Sequence, residues 1–556
     1  MSEILSEIEA YQVQHLPIIK AYADELGLVG LINHYVPTEM EIDAGTVVLG
    51  LVLDTLSGRS PLYRLEDFFR DQDTDLLLGQ TLPPGAFNDD QVGRVLDRLY
   101  DFGTMKLFTS LAVRAAHKFN LERRYVHFDT TSCSVYGDYR VEDDRHAPFN
   151  LTYGYSKDKR PDLKQFVLST LCIDRAVPIW GQAEDGNASD KTINTTVLSE
   201  ISQRMAHYGV APGAYVYIAD SAMISQANLE ALGETLFISR LPATYGECER
   251  LIQTAAQGQS WHEVGVLAQT QPTKNRPAAS YQVWESSVTL YGAPYRAVVV
   301  HSSSQDRRRQ KRLEREFKTD QATLEARVRK ATKQSYFCHD DAAQAADKLR
   351  AQPSAYHRLE VELEERPQYG PGRPSAHKPR EVKALHYGLK VSLHERPEVM
   401  AQKAREAGCF VLLSNVPSEG EMAHSAQEVL VAYKEQHGIE QNYGFLKDPQ
   451  IVNSLFLEKP ERIEALGLVL LLSLMIWRLI ERTLRQYVET TGSKLSGWDH
   501  NLTDRPTAFM MMTKFSSVIV LKIGHKRQLA REFSTPQQQY LSALGLSAAC
   551  YTFSSG

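Results

Sequence analysis

The apolar rhythm of this sequence changes at Arg124 and breaks up again after Leu241, and those two changes constrain the fold more than any composition figure. Before residue 115 apolar side chains recur at helical spacing, as in Leu28, Leu31, Ile32 and Tyr35 and again Val48, Leu51 and Val52, with breaks at Pro37 and Gly58–Pro61. From Arg124 β-type runs take over: Tyr125–Asp129, Gln165–Ile173 and a third near Ala176–Trp180. Asp190 then stands as an N-cap before a helical run, Lys191–Met205. Ala214–Asp220 reads as a strand running into a helix from about Gln226, and Leu236–Ser239 as another strand. Three strands, helix, strand, helix, strand is an α/β layout.

Between about Leu241 and Arg405 the texture mixes β segments (Tyr281–Glu285, Tyr295–Val300), a basic helical stretch and a Pro/Gly-rich loop at Arg366–Pro374. Cys409–Ser414 then returns as a buried strand, followed by helices from roughly Ser425 to Phe445 and from about Pro460 to Glu489. The chain leaves an α/β core and re-enters it. The expected domains are a helical N-terminal domain over 1–115, a core in two parts over 116–240 and 406–490, an insertion domain over 241–405 and a C-terminal tail over 491–556.

With 43% hydrophobic and 23% charged residues, the chain has the composition of a globular protein with a large core. Six cysteines are scattered with no C-x-x-C pair, which excludes a zinc knuckle or secreted disulfide framework and fits a reducing cytoplasm. The longest apolar run, Ala465–Trp477, falls short of the roughly 20 residues that cross a bilayer and reads as a buried helix. The acidic start, Met1–Glu9, lacks the basic and apolar regions of an export signal.

The net charge of −6 hides an asymmetry, because residues 1–100 hold 17 acids against 6 Lys/Arg, leaving the remainder at +5. Gln305–Gln334 carries 11 basic residues against five acids. That stretch is either a phosphate-facing surface, with Arg308 and Arg312 as contacts, or a solvated helix laced with pairs such as Glu314–Lys318. In the front domain, Asn88 or Asp89 caps a helix that buries Val92, Val95, Leu96 and Leu99 and projects Arg94 and Arg98, suited to packing, dimerisation or DNA contact.

Three acids stand at telling places: Asp129 at the end of the first strand, Asp220 at the end of the fourth, and Glu440 in the helix after the insertion. Singly, an Asp at a strand end is as readily a turn former or cap. Jointly, three converging carboxylates call for cations, and a pair of Mg²⁺ ions, with Mn²⁺ substituting, would serve in-line phosphodiester displacement. Asp190 reads as a cap rather than a ligand, and His127 as buried support. Lys157, Arg160 and Lys164 lie in a polar stretch before a strand, where they contact DNA backbone or are simply solvated.

Tyr433, Glu440 and Lys447 are spaced by seven, so an unbroken helix would set them on one face. Their run resembles the Y-x2-R-x3-E-x6-K signature of a large group of bacterial insertion-sequence transposases of the DDE class, with Gln436 where that group has Arg. His127–Thr131 and Tyr217–Ser221 are similar to the first two acid motifs of that class. Gly154–Gln165 and Gly186–Asp190 are similar to segments between them. The resemblance implies an α/β, ribonuclease-H-like catalytic core interrupted by a large insertion domain, behind an N-terminal helical domain.

It further implies a homodimeric DNA transposase of the bacterial cytoplasm and nucleoid, acting on double-stranded element ends and target DNA. Asp129, Asp220 and Glu440 would hold Mg²⁺, Lys447 would steady a phosphate and Tyr433 would lie beside the strand. The contact made by the family's Arg would pass to Lys434 or Lys447. The competing readings are a metal-dependent nuclease on the same core and a catalytically silent, transposase-derived DNA-binding protein.

Overall fold

A computed structural model of the chain describes residues 8–58, 64–135, 147–174, 176–258, 260–267, 277–351, 354–371, 380–447 and 459–553. Parts of the break at Gly58–Pro61 and of the loop Arg366–Pro374 lie outside the described residues. The fold is mixed α/β, in two compact units. The first comprises Met1–Arg240, Ser414–His424 and Val431–Gly556; the second comprises Leu241–Leu413 and Ser425–Leu430.

Five strands organise the first unit: β1 (Tyr125–Ser134), β2 (Gln165–Ile173), β3 (Val177–Glu184), β4 (Val216–Ala219) and β5 (Leu236–Arg240), in the spatial order β3-β2-β1-β4-β5. β2 is buried at all nine positions, as expected of an apolar, β-branched run with elements on both faces. It runs antiparallel to β1 and β3, whereas β4 lies parallel to β1 and β5 parallel to β4. The register of the first parallel pair, His127 opposite Ile218, brings Asp129, midway along β1, level with Asp220, the residue that follows β4.

The front of this unit is helical. Helix α1 (Asp89–Phe102) is capped by Asn88, whose side chain accepts from the Gln91 amide, and it buries Val92, Val95, Leu96 and Leu99. Crossover helix α2 (Asp190–Ala206) connects β3 to β4 and buries Ile193, Val197, Leu198, Ile201 and Met205. Its N-cap is Ser189, which accepts from the Thr192 amide, so the cap expected at Asp190 sits one residue earlier. Two good capping residues stand next to each other, and backbone geometry at Ser189 selects the first.

After the insertion, helices α3 (Ala426–Glu435) and α4 (His437–Lys447) replace the single helix expected over 425–445. Helix α5 (Pro460–Thr491) starts with Pro at its first turn and ends on Gly492 at φ 66°, outrunning the apolar run at both ends. By length and composition α5 could cross a membrane, yet 89% of its most apolar window is buried. It is the core helix of the unit, and Arg462 on it pairs with Asp97 of α1 at 2.7 Å.

Residues 491–556 are folded onto the front of the chain. Val520–Ile523 pairs antiparallel with both Ile8–Tyr11 and Lys526–Leu529 in a three-stranded sheet. Arg527, buried, donates to the Asp73 and Asp75 carboxylates at 2.5–2.9 Å, and the Tyr551 hydroxyl donates to the Gln14 carbonyl.

In the second unit, Ser280–Leu290 and Ala293–Ser302 form an antiparallel hairpin turned by Tyr291 and Gly292, both at positive φ. The basic stretch is one 30-residue helix, Ser303–Thr332, with only Leu324 buried. A long hairpin, His357–Tyr369 with Val382–Glu395, packs Val361 and Leu389 against Ala346 and Leu349 of the helix His339–Arg350.

Candidate functional site

Asp129, expected at the end of the first strand, lies in the middle of β1, opposite Thr170 of β2, while Asp220 directly follows the last residue of the neighbouring parallel strand β4. The Thr130 amide donates to Asp129 at 2.8 Å. Asp220 caps the turn Ser221–Met223, accepting from the Ala222 amide at 3.0 Å. Burial is the main force on both carboxyls. It pushes Asp129 up to about 7, with the charges of Asp220 and Asp190 adding and the Lys157 ammonium and the Thr130 amide opposing. Asp220 is also raised by burial, helped by the charge of Asp190 and countered by the Ala222 amide and Lys157.

Lys157 is built into this site. Its ammonium donates to the Thr130 carbonyl (2.7 Å) and hydroxyl (2.9 Å) and lies 3.5 Å from Asp190 Oδ2. The Thr130 hydroxyl in turn donates to Asp190 Oδ1 at 2.5 Å. The loop carrying Lys157 is held by a close backbone approach. A Cβ on Gly154 would fall 2.0 Å from the Gly186 carbonyl oxygen, and one on Gly186 would fall 2.0 Å from that of Gln165. The Gln165 side chain also donates to the Gly186 carbonyl at 2.7 Å. The two glycine-bearing segments noted between the acids are therefore pressed together, and only glycine fits at either contact.

The third acid stands apart. Glu440 is exposed, with its carboxylate 2.8 Å from His437 Nδ1. The helix break at Gln436 separates Tyr433 from Glu440 and Lys447, so the three do not share one helical face. Gln436 is buried and points its amide at the Phe128 carbonyl, next to Asp129, at 3.5 Å; this inward turn, which spacing alone does not reveal, accompanies the break. Tyr433 links the groups electrostatically. Burial raises its phenol, Arg240 lowers it, and the charges of Asp220, Glu440 and Asp129 raise it further.

Lys447 reaches back to Asp158 with both oxygens at 2.8–2.9 Å, and Arg160 pairs with Asp162 at 2.7 Å. Lys164 is half-exposed and its carbonyl accepts from the Val135 amide. In the second unit Arg308 is exposed, while Arg312 is tied to Glu316 at 2.6 Å. His127 is buried; burial takes its imidazole down to about 4, which keeps it neutral.

Among the described residues no group of three or more His, Cys, Asp or Glu is arranged to hold a metal. The donors that do meet are Asp129 and Asp220, two mutually repelling carboxyls in a largely desolvated position, and a divalent cation would relieve both penalties. The sequence reading missed the contributions of Thr130, Asp158, Asp190 and Arg240, which become visible only when distant segments meet. Residues 8–113 match a family model described as a domain of unknown function (DUF4277), a domain found in transposase-like proteins. No curated protein matches the chain.

Proposed function

We propose that the chain is a DNA transposase of the DDE class, cutting DNA at element ends and joining the freed 3′-hydroxyl to target DNA. The observation that carries this reading is the parallel register that sets Asp129 beside Asp220 where β4 ends and β1 runs on. Three features support it. The strand order β3-β2-β1-β4-β5 with β2 antiparallel is the order a ribonuclease-H-like core would need. A long insertion stands between the second and third acids. The front of the chain matches a domain found in transposase-like proteins.

Asp129 and Asp220 would hold Mg²⁺ or Mn²⁺, which supplies Lewis-acid activation of the phosphodiester and of the attacking water or hydroxyl. For that role both aspartates must be ionised, and Lys157 offsets part of their repulsion until a cation does so. Glu440 is the third acid. Its side chain is two-thirds exposed, so rotation away from His437 is open to it, and the reading requires that exchange. Lys447, once released by Asp158, is the cation that steadies a phosphate near the aspartates. Tyr433, which feels the charges of all three acids, would pack beside the DNA strand. Two element ends need two such sites, hence a homodimer on double-stranded DNA.

The test is cleavage of a labelled duplex carrying the element's own end, with Mg²⁺ or Mn²⁺, comparing wild type with Glu440→Gln. Metal-dependent nicking at the junction should vanish in the variant while DNA binding persists. Nicking that survives removes Glu440 from the site and returns the reading to a nuclease with a different acid set.

A further inference from the structure

We infer that Asp190 is a positioning residue for the aspartate pair, acting through the Lys157 ammonium and the Thr130 hydroxyl; the inference rests on the function proposed above. Ser189 takes the capping role at the start of α2, which leaves the Asp190 carboxylate available for other partners. It spends both oxygens on the site, one on the Thr130 hydroxyl and the other facing Lys157. Thr130 is the residue after Asp129, and Lys157 touches its carbonyl as well as its hydroxyl. The three side chains therefore form a closed loop of contacts around the backbone that carries Asp129.

That loop decides where the lysine charge rests. Lys157 acts on both Asp129 and Asp220 through its charge, yet its short contacts are to Thr130 and Asp190. A lysine ammonium sits on a flexible four-carbon stem and moves to the nearest uncompensated anion. Without Asp190 those anions are Asp129 and Asp220, and the ammonium would settle on the oxygens a divalent cation needs. Asp190 holds the lysine close enough to moderate the repulsion and off the coordinating atoms. The Gly154 and Gly186 contact fixes the Lys157 loop against the segment that leads into Asp190, so the parking place is built into the backbone.

The experiment measures Mn²⁺ binding to the full-length protein by electron paramagnetic resonance, without DNA, for wild type, Asp190→Asn, Lys157→Met and the double variant, with Asp129→Asn as the site control. Asp190→Asn should weaken Mn²⁺ binding on the order of tenfold, as one repositioned charge near two carboxylates does. Lys157→Met should tighten it, and in that background Asp190→Asn should cost little. Thr130→Val, which cuts the other arm, should weaken binding in the same direction. Thermal melting without metal checks that each variant is folded, and Thr130→Val carries the test if Asp190→Asn is not.

If Asp190→Asn costs the same factor with and without Lys157, the carboxylate acts through its own charge and the positioning role is wrong, while the metal reading stands. If wild type shows no Mn²⁺ uptake that Asp129→Asn removes, the proposed function falls and takes this inference with it.

Discussion

Replacing Asp129 with Asn should make the metal-free protein more stable at neutral and higher pH. In the fold the carboxyl is largely buried, between β1 and the charges of Asp220 and Asp190, and is pushed up from 3.8 to about 7. Each unit of such a shift corresponds to about 1.4 kcal/mol of difference between the two protonation states, so keeping Asp129 ionised costs the fold about 4 kcal/mol at most. The sign follows from the direction. A raised carboxyl contributes fully below its unfolded value, and that contribution is lost as pH rises from about 4 through about 7, then levels off. Asn keeps an oxygen for the Thr130 amide and carries no charge.

The assay is thermal unfolding of wild type and Asp129→Asn in a chelator across pH 4 to 9. The two should melt alike near pH 4. The variant should pull ahead by about 1 kcal/mol per pH unit and keep a lead of a few degrees above pH 7. Mg²⁺ at pH 8 should close the gap by stabilising only the wild type. Equal melting at pH 5 and pH 8, or a variant less stable at pH 8, would refute the account of a carboxylate held at a cost for a cation.

Other expectations concern the rest of the molecule. Arg527→Ala leaves Asp73 buried without its partner and should destabilise the first unit by about 3–5 kcal/mol, read by chemical unfolding. On the basic helix, Arg308→Ala should lower the slope of log DNA affinity against log salt by about one, whereas Arg312→Ala, whose guanidinium is already engaged by Glu316, should lower it less.

Much of the first unit was legible in the sequence because its signals are local. Largely apolar runs mark β2 and β4, Tyr125–Phe128 marks the first half of β1, and the Asn88 cap with Val92, Val95, Leu96 and Leu99 marks α1, each set by residues within a few positions. Asp220 was legible as a strand-end acid, whereas Asp129, read as the end of a five-residue strand, is the fifth of ten residues in β1, because the polar half Thr130–Ser134 is held in the sheet by β2; parallel pairing of β1 with β4 then brings the two acids to neighbouring positions. The misreadings share one cause, a partner far along the chain. The break between α3 and α4 accompanies the turn of Gln436 toward the Phe128 carbonyl, so a spacing of seven could not reveal it. The role of Asp190 depends on Lys157 and Thr130, whereas capping preference sees only its immediate neighbours. Residues 491–556 gave no pattern because their strands are two to four residues long, and the central one, Val520–Ile523, is completed by Ile8–Tyr11 from the far end of the sequence.

That last pairing has a consequence for synthesis. Ile8–Tyr11 leaves the ribosome well before Val520–Ile523, which follows after roughly half a minute or more of elongation at about 5–20 residues per second. During that interval the early strand has no sheet partner and Asp73 no arginine. A premature stop anywhere before Val520 would leave both permanently exposed, an edge open to other chains and a charge without its mate. Closure of this sheet therefore waits on synthesis through Leu529, and the edge of Ile8–Tyr11 stays open to other chains until then.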